Sequence, residues 1–212
     1  IKTQRDDILG RAPFARFLAD AIISYSDRES IPIGLFGEWG SGKTSAINMM
    51  LEHIREVAQE KPEYNPRIIR FNPWAFSGQN NLTYQFFRQM AAVIAQDGNI
   101  GREISEKLAE YASCFLVTDN TAGGILPENI QAGSSCVYHS FMHIRDELDD
   151  ICAADLNKTI VIIDDIDRLS NGEILQVFQI VKVMADFPNT IYVASMDKNV
   201  VIKALEKIRE SS

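Results

Sequence analysis

The sequence predicts an α/β protein in which helices cover both faces of a parallel β-sheet. Along the chain, short apolar runs typical of strands alternate with longer stretches whose apolar residues recur every three or four positions. That alternation is typical of βαβ units. One of the strand-like runs leads into a glycine-rich segment, and another leads into a cluster of aspartates. A three-layer α-β-α fold is therefore expected.

The elements before the glycine-rich segment are a helix and a strand. The helix follows Pro13, because the apolar residues after this proline recur at helical spacing, at Phe14, Phe17, Leu18, Ala21 and Ile22. The apolar run 31–36 is the first predicted strand, and the stretch 45–58 after the glycines has the pattern of a second helix.

The rest of the chain continues the alternation. A second strand is predicted over 67–76, ending around an Asn-Pro pair that interrupts regular structure. The remaining predictions are helices over 81–97, 102–112, 137–151, 172–187 and 200–212, and strands over 159–163 and 190–195. Segment 113–136 has no sustained period and is rich in Gly, Asn, Thr and Ser, so it is predicted to be a loop or a reduced insertion.

The glycine-rich segment fits the pattern GxxxxGK[ST] at every fixed position and stands between a strand and a helix. Its glycines let backbone N–H groups approach a phosphate, and the following helix presents its positive N-terminal end to the same anion. Lys43 is expected to reach the β and γ phosphates, and the Thr44 hydroxyl to bind Mg²⁺, which prefers oxygen ligands. The predicted nucleotide-binding residues here are Gly37, Glu38, Trp39, Gly40, Ser41, Gly42, Lys43, Thr44 and Ser45.

The aspartate cluster "IVIIDDIDRL", residues 160–169, has the form of a Walker B motif. Four apolar residues precede Asp164, which is expected to complete the Mg²⁺ site. Asp165 is the candidate general base that orients or deprotonates the attacking water, and with Lys43 it forms the predicted catalytic pair. Asp167 and Arg168 have two interpretations: a local ion pair in a turn, which contributes little if exposed, or a pair that transmits the nucleotide state.

Composition narrows the functional classes. The formal net charge is -8 and no Lys/Arg run stands out, which argues against a direct nucleic-acid surface. The three cysteines form no CxxC pair, which favours a reducing compartment. No stretch approaches the ~20 apolar residues that span a bilayer. The predicted location is the cytoplasm. A peripheral position at the cytoplasmic face of a membrane is compatible with this prediction.

Five segments together resemble the KAP family of P-loop NTPases. They are "DDILGR", "GLFGEWGSGKTS", "RFNPWAF", "IIDDIDRLS" and "IYVASMDKNVV", spread over nearly the whole chain. The strand and helices between the P-loop and the Walker B acid also favour the additional-strand class of P-loop proteins, which includes the STAND and AAA+ ATPases. Resemblance to that class implies a three-layer P-loop NTPase fold with sheet order 5-1-4-3-2.

The resemblance has further implications for the site and the chain. It implies ATP and Mg²⁺ as cofactors, a position near the adenine for Gly10 and Arg11, and a polar sensor role for Asp197. Strand 5, a helical lid and an arginine finger are missing from residues 1–212, so this KAP-type domain is expected to be a fragment of a longer chain. Many relatives carry transmembrane helices where this sequence has a short polar insertion.

Two functions remain open from the sequence. The first is an ATPase whose hydrolysis drives a conformational or assembly change, with a homo-oligomer or an effector domain as partner and a role in bacterial defence or signalling. The second is an interaction switch or scaffold that binds ATP with little turnover. Asp165 keeps the second open, because many fast ATPases have the longer Glu there and a small displacement of the attacking water is costly. A small-molecule kinase has less support, since no basic cluster would hold an acceptor phosphate.

Overall fold

The computed structural model describes residues 7, 10–61, 63–78, 81–116 and 135–211. In these residues the strands are β1 (Ile31–Phe36), β2 (Arg67–Phe71), β3 (Thr159–Ile163) and β4 (Thr190–Met196). The helices are α1 (Ala12–Ser24), α2 (Lys43–Glu60), α3 (Leu82–Ile94), α4 (Gly98–Leu116), α5 (Ser135–Ala154), α6 (Asn171–Gln179) and α7 (Lys198–Ser211). Short 3₁₀ turns cover Pro73–Phe76 and Ile166–Arg168, and a π-helical turn, Ile180–Met184, continues α6.

The four strands form one parallel sheet in the order β1-β4-β3-β2. This confirms the predicted order for these strands. In the part of the chain that the structure describes, β1 lies at the edge of the sheet, beside an apolar groove of ≈ 670 Å³ lined in part by Pro32, Phe36 and Ile202. The fifth strand, which the resemblance implies next to β1, stays a prediction.

Helices cover both faces of the sheet, as the predicted three-layer fold requires. Strand side chains alternate between the two faces: Ile160 and Ile162 pack against α1 and α2, while Val161 and Ile163 pack against the layer formed by α3 to α7. The larger layer contains an aromatic cluster of Phe86, Phe87, Tyr111, Phe115, Phe141 and Phe187. The sheet is therefore packed on both faces beneath its carboxyl edge.

The structure corrects several predicted boundaries, including both ends of the predicted loop and the end of the second strand. Helix α4 continues to Leu116 because Phe115 still packs into the core, stacking on Phe87 at 5.4 Å. Helix α5 begins at Ser135. The ends of the predicted loop 113–136 are thus helical, and its middle, 117–134, lies outside the described residues. Strand β2 ends at Phe71, because the Asn72 side chain accepts a hydrogen bond from the Trp74 N–H and starts a 3₁₀ turn.

A buried ionic cluster fixes the start of β2 at the opposite end of the sheet from the P-loop. The Arg67 guanidinium, 4% exposed, donates hydrogen bonds to Asp97 and to the buried carboxylate of Asp155. Arg67 thereby connects β2 to the segment after α3 and to the residue after α5. The desolvation cost of burying these charges is compensated only while Arg67 remains paired with its carboxylates.

Asp155→Ala should lower the free energy of unfolding by about 3 kcal/mol, because one guanidinium nitrogen of Arg67 would be left buried without its anion. Urea unfolding followed by far-ultraviolet circular dichroism measures the change. Asp150→Ala is the matched control on α5, since Asp150 is exposed, and its effect should stay within about 0.5 kcal/mol. Equal stability of the two variants would contradict this role of the cluster.

Candidate nucleotide-binding site

The P-loop connects the end of β1 to the start of α2 and depends on glycine at two left-handed positions. Gly40 has φ +76 and Gly42 has φ +85, conformations that cost energy for residues with a Cβ. The Gly37 N–H donates to the Met196 carbonyl at 3.2 Å, which joins the loop to the end of β4. A Cβ at Gly37 would lie 2.4 Å from Ser41 Oγ, so a larger residue there would require the Ser41 side chain to move.

Lys43 is the first residue of α2, and its side chain folds back over the loop. Its Nζ donates to the carbonyl oxygens of Gly37 at 2.9 Å and Glu38 at 3.2 Å. The side chain is only 10% exposed, and its ammonium lies 3.9 Å from a carboxylate oxygen of Asp167. The structure therefore places the predicted catalytic lysine inside the loop that would surround a phosphate.

Asp164 lies at the end of β3 and joins three segments of the site. Its Oδ2 accepts a hydrogen bond from Thr44 Oγ1 at 2.8 Å, across 120 residues of sequence. Its Oδ1 accepts hydrogen bonds from the Asp165 N–H at 3.0 Å and from the Ser195 hydroxyl of β4. Thr44 and Asp164, the two residues predicted to bind the metal, are thus brought together as neighbours.

The oxygen atoms gathered here fit a magnesium ion. A hydroxyl and a carboxylate are hard donors of the kind that Mg²⁺ prefers, and it commonly shares the remaining positions with substrate phosphates and water. In the part of the chain that the structure describes, no cluster of three or more His, Cys, Asp or Glu residues suits a metal held by protein alone. A hydroxyl and a carboxylate would leave the remaining positions around the ion to phosphate and water oxygens.

Asp165 adopts an unusual backbone conformation and forms an ion pair. Its φ of 61° is left-handed, which is uncommon for a residue other than glycine and often marks a functional position. Its Oδ1 lies 3.1 Å from Arg168 Nε. Burial, and after it the Asp164 carboxylate, raise the pKa of Asp165 above its ordinary value, while Arg168 acts in the opposite direction. A raised pKa suits a proton acceptor.

Arg168 faces outward from the 3₁₀ turn and meets the segment after β2. Its guanidinium lies 6.0 Å from the centre of the Trp74 ring, at the outer limit of a cation–π contact. The local Asp167–Arg168 ion pair that the sequence suggested is therefore replaced by two other pairs. Arg168 contacts Asp165, and Asp167 contacts Lys43.

Glu173 connects the Walker B turn to the segment after β2. In α6 it forms a capping box with Ser170, and its carboxylate also accepts hydrogen bonds from the Gly78 N–H at 2.8 Å and the Ser77 hydroxyl at 3.1 Å. Burial opposes its ionisation, but the hydrogen bonds from Ser170, Gly78 and Ser77 outweigh that effect and lower the pKa of Glu173. The anionic form holds the two segments together.

The structure places the other predicted binding residues in different ways. Gly10, with φ +65, precedes α1, and the Arg11 guanidinium lies 3.5 Å from where a Cβ on Gly42 would stand. Arg11 thus lies against the P-loop. Asp197 caps α7, because its carboxylate accepts the Asn199 N–H at 2.9 Å. The sensor role of Asp197 stays a prediction.

Sequence reasoning missed two contacts of this site. Ser195 is fully buried and bonds Asp164, yet a serine within an apolar strand run has no special signature. Asp167 was noticed, but its pairing with Lys43 spans 124 positions and depends on how the 3₁₀ turn folds. The only sequence signal for the contact between Ser195 and Asp164 is the expected strand order, which makes β3 and β4 neighbours with their carboxyl ends side by side.

Two exposed tryptophans flank the site at the carboxyl edge of the sheet. Trp39 lies within the P-loop and is 78% exposed, and Trp74 lies after β2 and is 53% exposed. Among the residues that the structure describes, no helix is long and apolar enough to cross a membrane. Phe36, at the end of β1, is a third exposed aromatic residue at this edge.

Comparison with known proteins gives a family match and a distant relative. The KAP family P-loop domain matches residues 11–212. The chain is also similar to the phage T7 exclusion protein of Escherichia coli strain K12, at 25% identity over 236 residues, covering 95% of this chain and 30% of that protein. It thus spans about a third of the length of that relative.

Solved structures give weaker similarity. Two structures of the Aeropyrum pernix ORC2 protein, one with ADPNP and ADP and one in the ADP form, are each 14% identical to this chain. Both alignments cover 94% of this chain. They cover 43% and 44% of the ORC2 chains, with TM-scores of 0.47 and 0.41 respectively.

Proposed function

The chain belongs to the KAP family of P-loop domains, and from that premise we propose that it binds Mg-ATP and hydrolyses it to drive a conformational or assembly change in a larger protein. The single observation that carries this proposal is the 2.8 Å hydrogen bond between Thr44 Oγ1 and Asp164 Oδ2. It joins the P-loop helix to the Walker B strand at the point where a magnesium ion bound to phosphates would need both oxygens.

The residues around that contact have separate roles in the proposed reaction. Backbone N–H groups of the P-loop and the start of α2 bind the phosphates. Lys43 places its positive charge beside them, and Thr44 with Asp164 would hold Mg²⁺, which neutralises negative charge on the phosphates when bound. Asp165 accepts a hydrogen bond or a proton from the attacking water.

The coupling of this reaction to a partner rests on the contacts of the Walker B turn. Asp165 and Arg168 connect the site to Trp74, and Glu173 connects the same turn to Ser77 and Gly78. A change at Asp165 is thereby passed to an exposed surface, where a second copy or an effector domain would read it. Similarity to a phage exclusion protein supports a role in bacterial defence.

A second function is supported by a specific contact. Arg168 holds Asp165 by an ion pair of 3.1 Å, and the side chain of Asp is shorter than that of Glu. If the pair persists with ATP bound, Asp165 is kept from the water and the protein acts as a switch that holds ATP with little turnover. Both functions use the same ATP-binding site, and they differ in the rate of ATP hydrolysis, which can be measured.

Single-turnover hydrolysis of radiolabelled ATP by the full-length protein tests the proposal. We expect phosphate release within minutes and a change of oligomeric state, measured on the same samples by light scattering. Tight binding with no phosphate released would instead establish the switch. If equilibrium dialysis shows no Mg-ATP bound at millimolar concentration, both functions are refuted.

A further inference from the structure

Asp167 forms a buried ion pair with the P-loop lysine. Its side chain is 7% exposed and its Oδ2 lies 3.9 Å from Lys43 Nζ. Its other oxygen, Oδ1, is buried and has no hydrogen-bond partner among the residues that the structure describes. A buried carboxylate with one free oxygen is costly unless a nearby cation or ligand compensates it. In this site the cation is Lys43.

The local backbone structure directs the Asp167 side chain toward the P-loop and the side chains of its neighbours elsewhere. The left-handed conformation of Asp165 precedes the 3₁₀ turn, and Ile166 within the turn and Leu169 directly after it are buried in the core. Between these anchors, Asp167 faces the P-loop while Arg168 is partly exposed and pairs with Asp165. The fold of the turn therefore pairs Asp167 with Lys43 and Asp165 with Arg168.

The ammonium of Lys43 is limited in the partners that it can accept. It has three N–H donors, and two are used by the carbonyl oxygens of Gly37 and Glu38. The remaining donor is the one that a nucleotide phosphate would need. Asp167 and a phosphate are both anions, so they compete for the same positive charge and repel each other across a poorly hydrated space.

We propose that Asp167 is a positioning residue that acts as the resting counter-ion of Lys43, weakens the hold of Lys43 on nucleotide phosphates, and so sets how fast ADP leaves. This inference rests on the proposed function, because it assumes that Lys43 binds phosphate. It deepens that function by assigning control of nucleotide exchange to one acid. When the nucleotide dissociates, the carboxylate again neutralises the buried ammonium.

Asp167→Asn tests the inference because it removes the charge and keeps the shape of the side chain. We expect ADP and Mg-ATP to bind roughly tenfold more tightly or better, since a like charge close to the phosphates is removed. Release of radiolabelled ADP, measured by dilution and filter binding, should slow by a similar factor. In steady state, kcat and KM should both fall, which loss of structure alone would not produce.

Two further variants make the result specific. Asp167→Glu keeps the charge and should bind ADP within about threefold of the wild-type affinity. Glu206→Gln changes the net charge equally on an exposed position of α7 and should leave ADP release unaltered. If Asp167→Asn fails to fold by circular dichroism, Asp167→Ser removes the same charge with a smaller side chain and carries the same expectation.

The outcomes separate this inference from the proposed function. Weaker or unchanged ADP binding by a folded neutral variant, with wild-type binding intact, overturns the counter-ion role alone. Absence of nucleotide binding by the wild-type protein overturns the proposed function and the inference with it. Tighter binding and slower release by the neutral variant, with both controls normal, support the inference.

Discussion

Lys43→Ala is expected to abolish Mg-ATP binding measurable by isothermal titration calorimetry. The Lys43 side chain is 10% exposed, and its ammonium is held inside the P-loop by two backbone carbonyls. Hydrogen bonds to charged groups contribute about 1.5–3 kcal/mol each. Losing the interactions of this ammonium with two phosphate groups corresponds to a weakening of a hundredfold or more, since about 1.4 kcal/mol is a factor of ten.

The control for this experiment is Lys203→Ala, which removes the same charge from an exposed position on α7. Its affinity for Mg-ATP should equal that of the wild type. Thermal unfolding of Lys43→Ala should show that the variant is folded, since deleting Lys43 leaves Asp167 as a buried anion and some loss of stability is expected. A folded Lys43→Ala protein with wild-type affinity would refute the P-loop assignment.

The second large effect is expected from Asp165→Asn. The amide has the shape of the carboxylate but accepts no proton, so single-turnover hydrolysis should slow by roughly a hundredfold or more. Calorimetric affinity for Mg-ATP should change by less than about threefold, because the predicted metal ligands Thr44 and Asp164 are untouched. The rate and the affinity are measured on the same preparation.

Arg168→Gln is the informative companion of that variant. It removes the cation that pairs with Asp165 and leaves the carboxylate in place. Faster hydrolysis in Arg168→Gln than in the wild type would mean that the ion pair restrains turnover. An unchanged rate in Asp165→Asn would exclude Asp165 as the base, whatever Arg168 does.

Local periodicity in the sequence was sufficient to predict which segments form helices and which form strands. The bounds of β1 agree with the apolar run that predicts them, and the order of the four strands agrees with the order that resemblance to the additional-strand class implies. Helix ends were less predictable. The end of α4 depends on the packing of Phe115 against Phe87, a contact between two helices that no local pattern contains.

Within the site, residue types were predictable and their pairings were not. The sequence indicates that Asp164 belongs near Thr44, because each motif has a fixed place relative to its strand. It does not indicate which of Asp165 and Asp167 meets Arg168. That choice follows from the left-handed backbone of Asp165 and the 3₁₀ turn after it, which depend on the burial of Ile166 and Leu169.

The positions of the two tryptophans also have a spectroscopic consequence. The sequence contains only Trp39 and Trp74, and both flank the P-loop edge of the sheet in exposed positions. Indole emission from this chain therefore originates entirely at that edge. An occupant that shields either ring from water would shift the emission to shorter wavelength, so the intrinsic fluorescence is a label-free optical reporter of this surface.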